Sequence, residues 1–264
     1  KFDRPAILWS TGKDSTCLLY LVKEAFFDEV PWDIIFIDTG YHFKELIDFR
    51  DKIVKDLDLN LVIAKNEVAL QQGMGPSKGH FECCTALKTL ALKNIVEKNN
   101  YDALLLAIRW DEHGLRGKER YFSPRDKEWH WKVYRRRTPE EMKKGDSPFV
   151  PLQDTELMGW DLFFSDFIDV DHVRVHPILH WSEVDVWRYI KENNLPVNPL
   201  YYSRNGMRYR SLGCYTCTSP IKSNASSIDE FIEEILSSKK GERDGRVQNK
   251  EKLLMERLRY LGYM

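Results

Sequence analysis

The run Ala6-Ile7-Leu8-Trp9-Ser10-Thr11-Gly12-Lys13-Asp14-Ser15-Thr16 passes from four apolar residues through a small polar turn into a helical pattern. The apolar residues are typical of a short buried strand, and the pattern beyond the turn predicts a helix from about Ser15 to Glu24. A strand joined to a helix in this way is the opening of a βαβ unit. This part of the chain therefore predicts an α/β fold.

The same alternation continues along the first half of the chain. Short apolar strands are predicted at 34–37, 61–64, 103–108 and 172–177, and helices at about 43–56 and 85–98. A further helix is predicted after Ser182, with Asp185 three residues later as in a capping box. Strands of four to six apolar residues separated by amphipathic helices predict a parallel sheet with helices on both faces.

The remaining segments predict a domain division. Residues 1–190 are predicted to form one α/β domain, within which residues 109–170, rich in Arg, Lys, Trp and Pro, are predicted to be active-site loops. Residues 191–264 are predicted to form a smaller, mostly helical C-terminal appendage, with helices near 228–238 and 251–261.

Composition excludes some classes of protein. The 264 residues include 40 Lys+Arg and 41 Asp+Glu, and the net charge of -1 gives no reason for the whole protein to be attracted to nucleic acid or membrane. There is no apolar run of about 18 residues and no leader pattern, so we expect a cytoplasmic protein. Its five cysteines are then expected to be ligands, catalysts or core residues, not disulfides.

The polar turn predicts an anion site. Gly12 allows close approach of the backbone, Lys13 supplies a cation, and hydroxyl groups come from Ser10, Thr11, Ser15 and Thr16. The amino-terminal end of the following helix attracts negative charge. The alternative is an ordinary strand-to-helix turn that happens to be polar.

Polar groups also follow two later strands. Asp38-Thr39-Gly40 comes after the strand at 34–37, at the edge of the sheet where ligands bind in open α/β folds. Arg109, Asp111 and Glu112 follow the strand at 103–108. A dense basic set comes behind them, namely Arg116, Lys118, Arg120 and Arg125. The alternatives are a simple turn in the first case and a solvated charged loop in the second.

Several motifs resemble known families. Ser10-Thr11-Gly12-Lys13-Asp14-Ser15 is similar to the SxGxDS motif of the ATP pyrophosphatase (PP-loop) superfamily. Other segments resemble the PAPS reductase and sulfate adenylyltransferase small-subunit family: DTGYHFKE at 38–45, DEHGLRGKER at 111–120, YFSPRD at 121–126, RVHP at 174–177, WSEVDVW at 181–187, NPLY at 198–201, RSLG at 210–213, SNA at 223–225, ERDGR at 242–246 and GYM at 262–264. The resemblance spans nearly the whole chain.

This resemblance implies a Rossmann-like (HUP/PP-loop) fold and cleavage of ATP between the α- and β-phosphates. It implies that residues 10–16 together with Asp38 and Arg109 bind the nucleotide, with Lys13 and Asp14 also catalytic, and that Asp111 or Glu112 helps to hold Mg²⁺. The basic residues Arg116, Lys118, Arg120 and Arg125 would then grip pyrophosphate or the oxyanion acceptor. Sulfate is the favoured acceptor, and the implied partner is a GTPase subunit within a homo- or hetero-oligomer.

The cysteines depart from that likeness. Cys83-Cys84 and Cys214-x-x-Cys217 are open to three interpretations: buried free thiols, a zinc site or a [4Fe–4S] cluster. The arrangement resembles that of adenylylsulfate reductases, which bind a [4Fe–4S] cluster, whereas sulfate adenylyltransferase small subunits lack it. No cysteine after Cys217 is available to attack a substrate sulfur, so sulfonucleotide reduction is not expected. Cys17 is predicted to be a core residue.

A cluster beside an ATP-cleaving loop raises an alternative function. Other iron–sulfur PP-loop enzymes adenylate tRNA or DNA and replace an oxygen with sulfur, as in tRNA thiolation and DNA phosphorothioation, and work with a cysteine desulfurase. The basic run 135–137 and the aromatic residues Trp129, Trp131 and Tyr134 could bind such a substrate by charge and stacking, or could be a solvated loop. A third hypothesis is a non-catalytic ATP-binding regulatory module.

Overall fold

A computed structural model of the chain describes residues 1–113, 116–117, 119–130, 134–136, 149–151, 163, 165, 167, 170–238, 241–243, 246, 257–258 and 261. The strands are β1 (Pro5–Leu8), β2 (Asp33–Ile37), β3 (Leu61–Ala64), β4 (Ala103–Leu105), β5 (Phe122–Arg125), β6 (Tyr134–Arg136), β7 (Phe149–Pro151), β8 (His172–Val175), β9 (Met207–Arg208) and β10 (Ile221–Lys222). The helices are α1 (Lys13–Ala25), α2 (Lys44–Asp56), α3 (Glu67–Gln71), α4 (His80–Cys84), α5 (Leu90–Asn99), α6 (Glu183–Glu192) and α7 (Ile228–Ser237).

Six strands form the main sheet, in the order β3-β2-β1-β4-β8-β5. Neighbouring strands from β3 to β8 are parallel, and only β5 runs antiparallel to its neighbour β8. The chain builds outward from β1 to β3 and then returns to the other side of β1 with β4. This reversal makes the carboxyl ends of β1 and β4 the point where open α/β sheets bind ligands.

The strand β1 is apolar on both faces. Ala6 and Leu8 pack into a cluster on one face with residues of α5, and Ile7 packs into a second cluster on the other face with residues of α1 and α2. Because successive side chains of a strand point to opposite faces, a strand covered on both sides must be apolar throughout. The predicted parallel sheet with helices on both faces is confirmed.

The C-terminal part packs against α1 and α6. Trp187 of α6 lies 4.8 Å from Phe231 of α7 and 5.2 Å from Tyr201, measured between ring centroids, and Cys17 of α1 belongs to the same buried cluster. Cys17 is therefore a core residue, as predicted. The predicted boundary near residue 190 runs through this cluster, so residues on its two sides share one hydrophobic core.

One part of the sequence-based prediction differs from the structure, and another lies mostly outside the described residues. The interval 109–170, predicted as loops, contains β5, whose residues Phe122-Ser123-Pro124-Arg125 show no apolar alternation. Proline is tolerated there because β5 is the last strand of the sheet and needs hydrogen bonds on one side only. The predicted helix at 251–261 falls mostly outside the described residues.

Ser182 caps α6 as its sequence predicts. Its side chain accepts a hydrogen bond from the Asp185 backbone, and Asp185 accepts one from the Ser182 backbone. In the described part of the chain, no helix is both long enough and apolar enough to cross a membrane.

Candidate active site

The polar turn at 10–12 joins β1 to α1 and is held by its own side chains. The Ser10 N–H donates to Ser15 Oγ over 3.2 Å, and Ser15 Oγ donates to the Gly12 carbonyl over 3.1 Å. Thr11 has a φ of 62°, a left-handed conformation that threonine rarely adopts. Such strain is retained mainly where the surrounding structure fixes it, often at functional sites. The turn thus presents the amino-terminal end of α1 in one defined conformation.

Two buried cations lie at this turn. Lys13 begins α1, and Arg109 follows β4; the Arg109 side chain is fully buried. Arg109 Nε lies 2.7 Å from Asp14 Oδ1, and Lys13 Nζ lies 3.1 Å from Asp14 Oδ2. The carboxylate of Asp14 therefore joins the two cations, one from each side of the topological reversal.

Another carboxylate at this turn, that of Glu242, comes from the C-terminal part of the chain. Glu242 forms ion pairs with both Lys13 and Arg109, and Asp111 pairs with Arg109 as well. Burial alone would lower the pKa of Lys13, but Asp14 and Glu242 outweigh it and raise that pKa. Burial raises the pKa of Glu242 to about 7. Lys13 and Arg109 are thus permanently charged groups held together by acids.

An open pocket extends from the turn. Its apolar lining includes Leu8, Trp9, Phe36, Ile37, Leu46, Leu106 and Ile108, and its polar lining includes Ser10, Gly12, Asp14, Ser15, Glu112, Arg116, Glu242, Arg243 and Arg246. Ligand pockets commonly combine an apolar wall with a few polar groups that fix orientation. The lining of this pocket offers apolar side chains to a flat ring and polar or basic groups to an anion.

Some predicted residues lie at this pocket. Glu112 and Arg116 form an ion pair, and Arg243 Nη1 also contacts Glu112 Oε1 at 2.8 Å. Burial by itself raises the pKa of Glu112, but Arg116 and Arg243 lower it overall. Thr39, in the turn after β2, lines the pocket too, whereas the neighbouring Asp38 lies 3.3 Å from Lys65 Nζ.

Other predicted residues are placed elsewhere. Arg120 and Arg125 are buried, and Arg125 Nη1 donates to Ser123 Oγ over 2.8 Å, away from the pocket lining. Arg120 precedes β5 and Arg125 ends it, and β5 is paired with β8 at the margin of the sheet, not with β1. Of the basic residues predicted to hold one anion, Arg116 lines the pocket whereas Arg120 and Arg125 do not, and their shared role stays a prediction. Lys118 lies outside the described residues.

The segment considered for nucleic-acid binding is described only in part, and one of its aromatic residues is unsuited to stacking. Trp129 is only 1% exposed, and its ring lies 4.4 Å from that of His172, so it is a core residue and offers no face to a base. The residues 134–136 form β6, which pairs with β7. Trp131 and Arg137 lie outside the described residues.

The four paired cysteines meet at one small cavity. Cys83 and Cys84 end α4, just before a π-helical turn at Thr85–Thr89, whereas Cys214 precedes a 3₁₀ turn and Cys217 ends it. All four are buried free thiols and line one small cavity. Burial, followed by Cys84, Cys214 and Cys217, raises the pKa of Cys83 to about 12.

The ligands that this cavity offers are four cysteine sulfur atoms. Among the residues that the structure describes, no three His, Cys, Asp or Glu side chains are close enough to hold one metal ion. Four thiolates are the number that a [4Fe–4S] cluster requires. The cluster at these residues stays a prediction.

Two residues of the site were missed by sequence reasoning. The Lys13 backbone N–H donates to the hydroxyl of Tyr201 over 2.9 Å, and Glu242 contacts the Lys13 side chain. Both lie in segments singled out for their resemblance, NPLY at 198–201 and ERDGR at 242–246. Neither segment follows a strand of the sheet, so strand position gave no reason to bring it to the turn.

Comparisons with known proteins agree on a family. The phosphoadenosine phosphosulfate reductase domain family matches residues 4–220. The sulfate adenylyltransferase subunit 2 of Marinomonas sp. (strain MWYL1) is 33% identical, covering 94% of this chain and 86% of its own length. That of Colwellia psychrerythraea (strain 34H / ATCC BAA-681) is 32% identical over 100% of this chain and 92% of its own.

Solved structures share the fold. The phosphoadenylyl-sulfate reductase of Candida auris, in a phosphate complex, gives a TM-score of 0.51 at 16% identity, covering 83% of this chain and 85% of that one. The FMN adenylyltransferase of Candida glabrata, with FMN and the ATP analogue AMPCPP, gives 0.53 at 17% identity, with coverages of 98% and 77%. At such identities the likeness establishes the fold alone.

Proposed function

The chain belongs to the phosphoadenosine phosphosulfate reductase domain family, and from that membership we propose that it is an adenylyltransferase. It binds ATP at the turn Ser10–Thr16 and transfers AMP to an oxyanion, releasing pyrophosphate. Sulfate is the favoured acceptor, because curated relatives that align with nearly their full length are sulfate adenylyltransferase subunit 2 proteins.

One observation carries the proposal. Residues 10, 12, 14 and 15, at the start of α1, line a pocket that also has apolar side chains, and Lys13 and Arg109 are buried behind Asp14 and pair with it. The helix start with these two cations matches a triphosphate, and side chains such as Phe36 and Leu46 match an adenine ring. The residues predicted for this role at 10–16 and at Arg109 support the same placement.

The chemistry requires positioning and little proton transfer. A sulfate oxygen attacks the α-phosphorus, the bond from that phosphorus to the bridging oxygen breaks, and its electron pair leaves with pyrophosphate. The product contains a new phosphoric–sulfuric anhydride. Because sulfate is already an anion, no base is needed to activate it. Lys13 and Arg109 stabilise the charge that develops on the leaving oxygen, and Arg116 attracts the acceptor.

A magnesium ion fits the same site. Mg²⁺ typically needs only one or two protein carboxylates when a bound polyphosphate supplies its remaining oxygens. Glu112 lines the pocket, and Asp111 lies beside Arg109, so both carboxylates are near the proposed triphosphate. When bound, the ion supplies charge neutralisation between the phosphates.

The proposed partner is a GTPase subunit. Formation of adenylylsulfate from ATP is strongly uphill, so a second source of free energy is needed. The names of the relatives as subunit 2 support assembly with another chain. The chain then functions as the ATP-binding member of a hetero-oligomer.

Exchange of labelled pyrophosphate into ATP tests the proposal. With Mg²⁺ and sulfate, the protein is expected to catalyse exchange and to release AMP-containing product, but no ADP. Chlorate or nitrate at equal ionic strength controls for a salt effect. Exchange that is unaffected by sulfate but stimulated by tRNA or DNA would overturn the choice of acceptor. Formation of ADP would overturn the reaction class.

The thiol cavity favours a second candidate function. Cys214 lines both this cavity and the nucleotide pocket, so a sulfur-bearing or redox centre would lie beside the adenylylation site. The four buried thiols could hold a [4Fe–4S] cluster, which when bound supplies electron transfer or a site for sulfur. The candidate is an enzyme that adenylates DNA or tRNA for phosphorothioation or thiolation, with a cysteine desulfurase as sulfur donor.

Anaerobic purification separates the two candidates. Brown protein with close to four iron atoms per chain, together with exchange stimulated by nucleic acid, would favour sulfur transfer. Protein without iron that exchanges only with sulfate would exclude it.

A further inference from the structure

Glu242 occupies the position that an anionic ligand needs. Its carboxylate pairs with Lys13 through one oxygen and with Arg109 through the other. Its side chain is only 4% exposed, and it also belongs to the pocket lining. The glutamate thus spans the same two cations that a phosphate group would contact.

The local charge balance is already negative without a ligand. Lys13 and Arg109 together carry two positive charges, and they contact three carboxylates, those of Asp14, Asp111 and Glu242. A polyphosphate brought beside this group would meet like charges within a few ångströms, where repulsion is strong in a partly buried site. One of the acids must withdraw or become neutral before the phosphates can bind.

Glu242 is the acid best suited to withdraw. Asp14 lies in α1 and Asp111 accepts the backbone N–H of Glu183 over 2.8 Å, so both are fixed by the α/β core. Glu242 lies beyond α7, far along the chain from the turn. Burial also raises its pKa to about 7, so loss of its charge is less costly than for an ordinary glutamate.

We infer that Glu242 is a built-in competitor of the nucleotide: its carboxylate holds Lys13 and Arg109 until the phosphates of ATP displace it. The inference rests on the proposed function, since it assumes that ATP binds at this turn. When pyrophosphate is the remaining ligand, the return of Glu242 to the two cations favours its release. The same residue therefore weakens binding of ATP and speeds departure of the product.

Binding measurements on a matched pair of variants test this inference. Glu242→Gln keeps the shape of the side chain and removes its charge. Glu234→Gln is the control, because Glu234 pairs with the buried Arg208 at 3.2 Å but lies outside the pocket lining. Isothermal titration with pyrophosphate and with an α,β-methylene analogue of ATP, both with Mg²⁺, gives the dissociation constants without any acceptor.

Glu242→Gln is expected to bind both ligands at least about fivefold more tightly than the unchanged protein, and Glu234→Gln is expected to bind them equally well. Equal or weaker binding by Glu242→Gln would overturn the inference while leaving the proposed function intact. Failure of the unchanged protein to bind either ligand would overturn the proposed function itself. If Glu242→Gln does not fold, Glu242→Asp replaces it. The aspartate side chain is one methylene shorter, so its carboxylate is too far back to contact both cations. This variant is expected to bind pyrophosphate and the ATP analogue at least about twofold more tightly than the unchanged protein.

Discussion

Thr39 Oγ1 lies 3.3 Å from Cys214 Sγ. Thr39 belongs to the turn after β2, and Cys214 to the CxxC segment of the C-terminal part. The same two segments are joined by a hydrogen bond from the Tyr215 N–H to the Tyr41 carbonyl, 2.9 Å long. The nucleotide pocket and the thiol cavity therefore share a wall, and events in one can be detected in the other.

Chemical labelling of cysteines should detect this shared wall. Of Cys83, Cys84, Cys214 and Cys217, Cys214 is the one that lines both cavities, so a bound ATP analogue should shield it directly. In metal-free protein we expect alkylation of Cys214 by iodoacetamide to slow several-fold on addition of the analogue. Mass spectrometry of the labelled peptides gives the rates, and Cys84 serves as the internal control. Equal protection of both cysteines would contradict a local effect.

Lys13→Ala should abolish most of the catalysis. Removing one preorganised donor from a charged transition state typically costs about 3 kcal/mol, or roughly a hundredfold in rate. We expect that loss in the rate of pyrophosphate exchange. Lys23→Ala, at the other end of the same helix, is the matched control, since Lys23 pairs with the exposed Asp28. A Lys13 variant with unchanged exchange would remove the turn from the reaction.

Changing one cysteine of the cavity should release the iron. A [4Fe–4S] cluster is held by four thiolates, so Cys214→Ser or Cys83→Ser is expected to lower iron content and the absorbance near 400 nm severalfold. Cys17→Ala should retain both, because Cys17 packs in the core between α1 and α6. If the unchanged protein, purified without oxygen, carries no iron, the buried-thiol interpretation replaces the cluster.

Buried histidines should make the fold sensitive to acid. Burial lowers the pKa of His176 to about 4, and it also lowers the pKa of His172 to about 4. An unfolded histidine takes up a proton near pH 6.5, whereas the folded one does so only near pH 4. Each therefore contributes stability that is complete above pH 6.5 and is lost as the pH falls towards 4.

Between pH 7 and 5 this loss should be about 2 kcal/mol per histidine in the free energy of unfolding, measured with urea. His176→Gln should reduce that pH dependence, whatever its effect on absolute stability. His180→Gln is the control, since His180 is exposed. An unchanged slope in the His176 variant would show that the pKa of this side chain is the same in the folded and the unfolded protein.

Gly213→Ala should loosen the C-terminal segment. A methyl group on Gly213 would overlap the Arg246 guanidinium, which also contacts the Leu212 carbonyl and, at 2.9 Å, Ser211 Oγ. Losing such contacts should cost about 1–3 kcal/mol in the free energy of unfolding. Gly117→Ala is the control, because no atom of the described residues lies within 4 Å of its added methyl group. Equal stability of the two variants would show that Arg246 relocates without cost.

The sequence predicts those parts of the molecule whose structure is determined by residues that are adjacent in the chain. Apolar runs such as Ile34–Ile37 and the Ser182–Asp185 cap are encoded by neighbouring residues, and they occur as predicted. The residues of the site can be predicted from the sequence only in part. Lys13 follows a strand and can be found from the sequence, whereas Glu242 reaches it across 229 positions of chain.

The basic set shows that residues close in sequence need not lie close together in the fold. Arg116 and Arg125 are nine positions apart and of the same charge, which predicts one anion site for both. The chain enters β5 between them, and Arg125 is carried beyond β8 while Arg116 stays at the pocket. Because β5 contains a proline and an arginine, it lacks the alternation of apolar and polar residues by which a strand is predicted from sequence.

That proline also bears on how copies of the protein can meet. Pro124 lies within a four-residue strand at the outer margin of the sheet, and it has no amide hydrogen to offer an incoming chain. A strand of another molecule that paired with β5 would lack a backbone hydrogen bond at Pro124, and this disfavours fibre-like growth from this edge of the sheet. Assembly with other subunits is therefore expected to use side-chain surfaces and to leave this margin unextended.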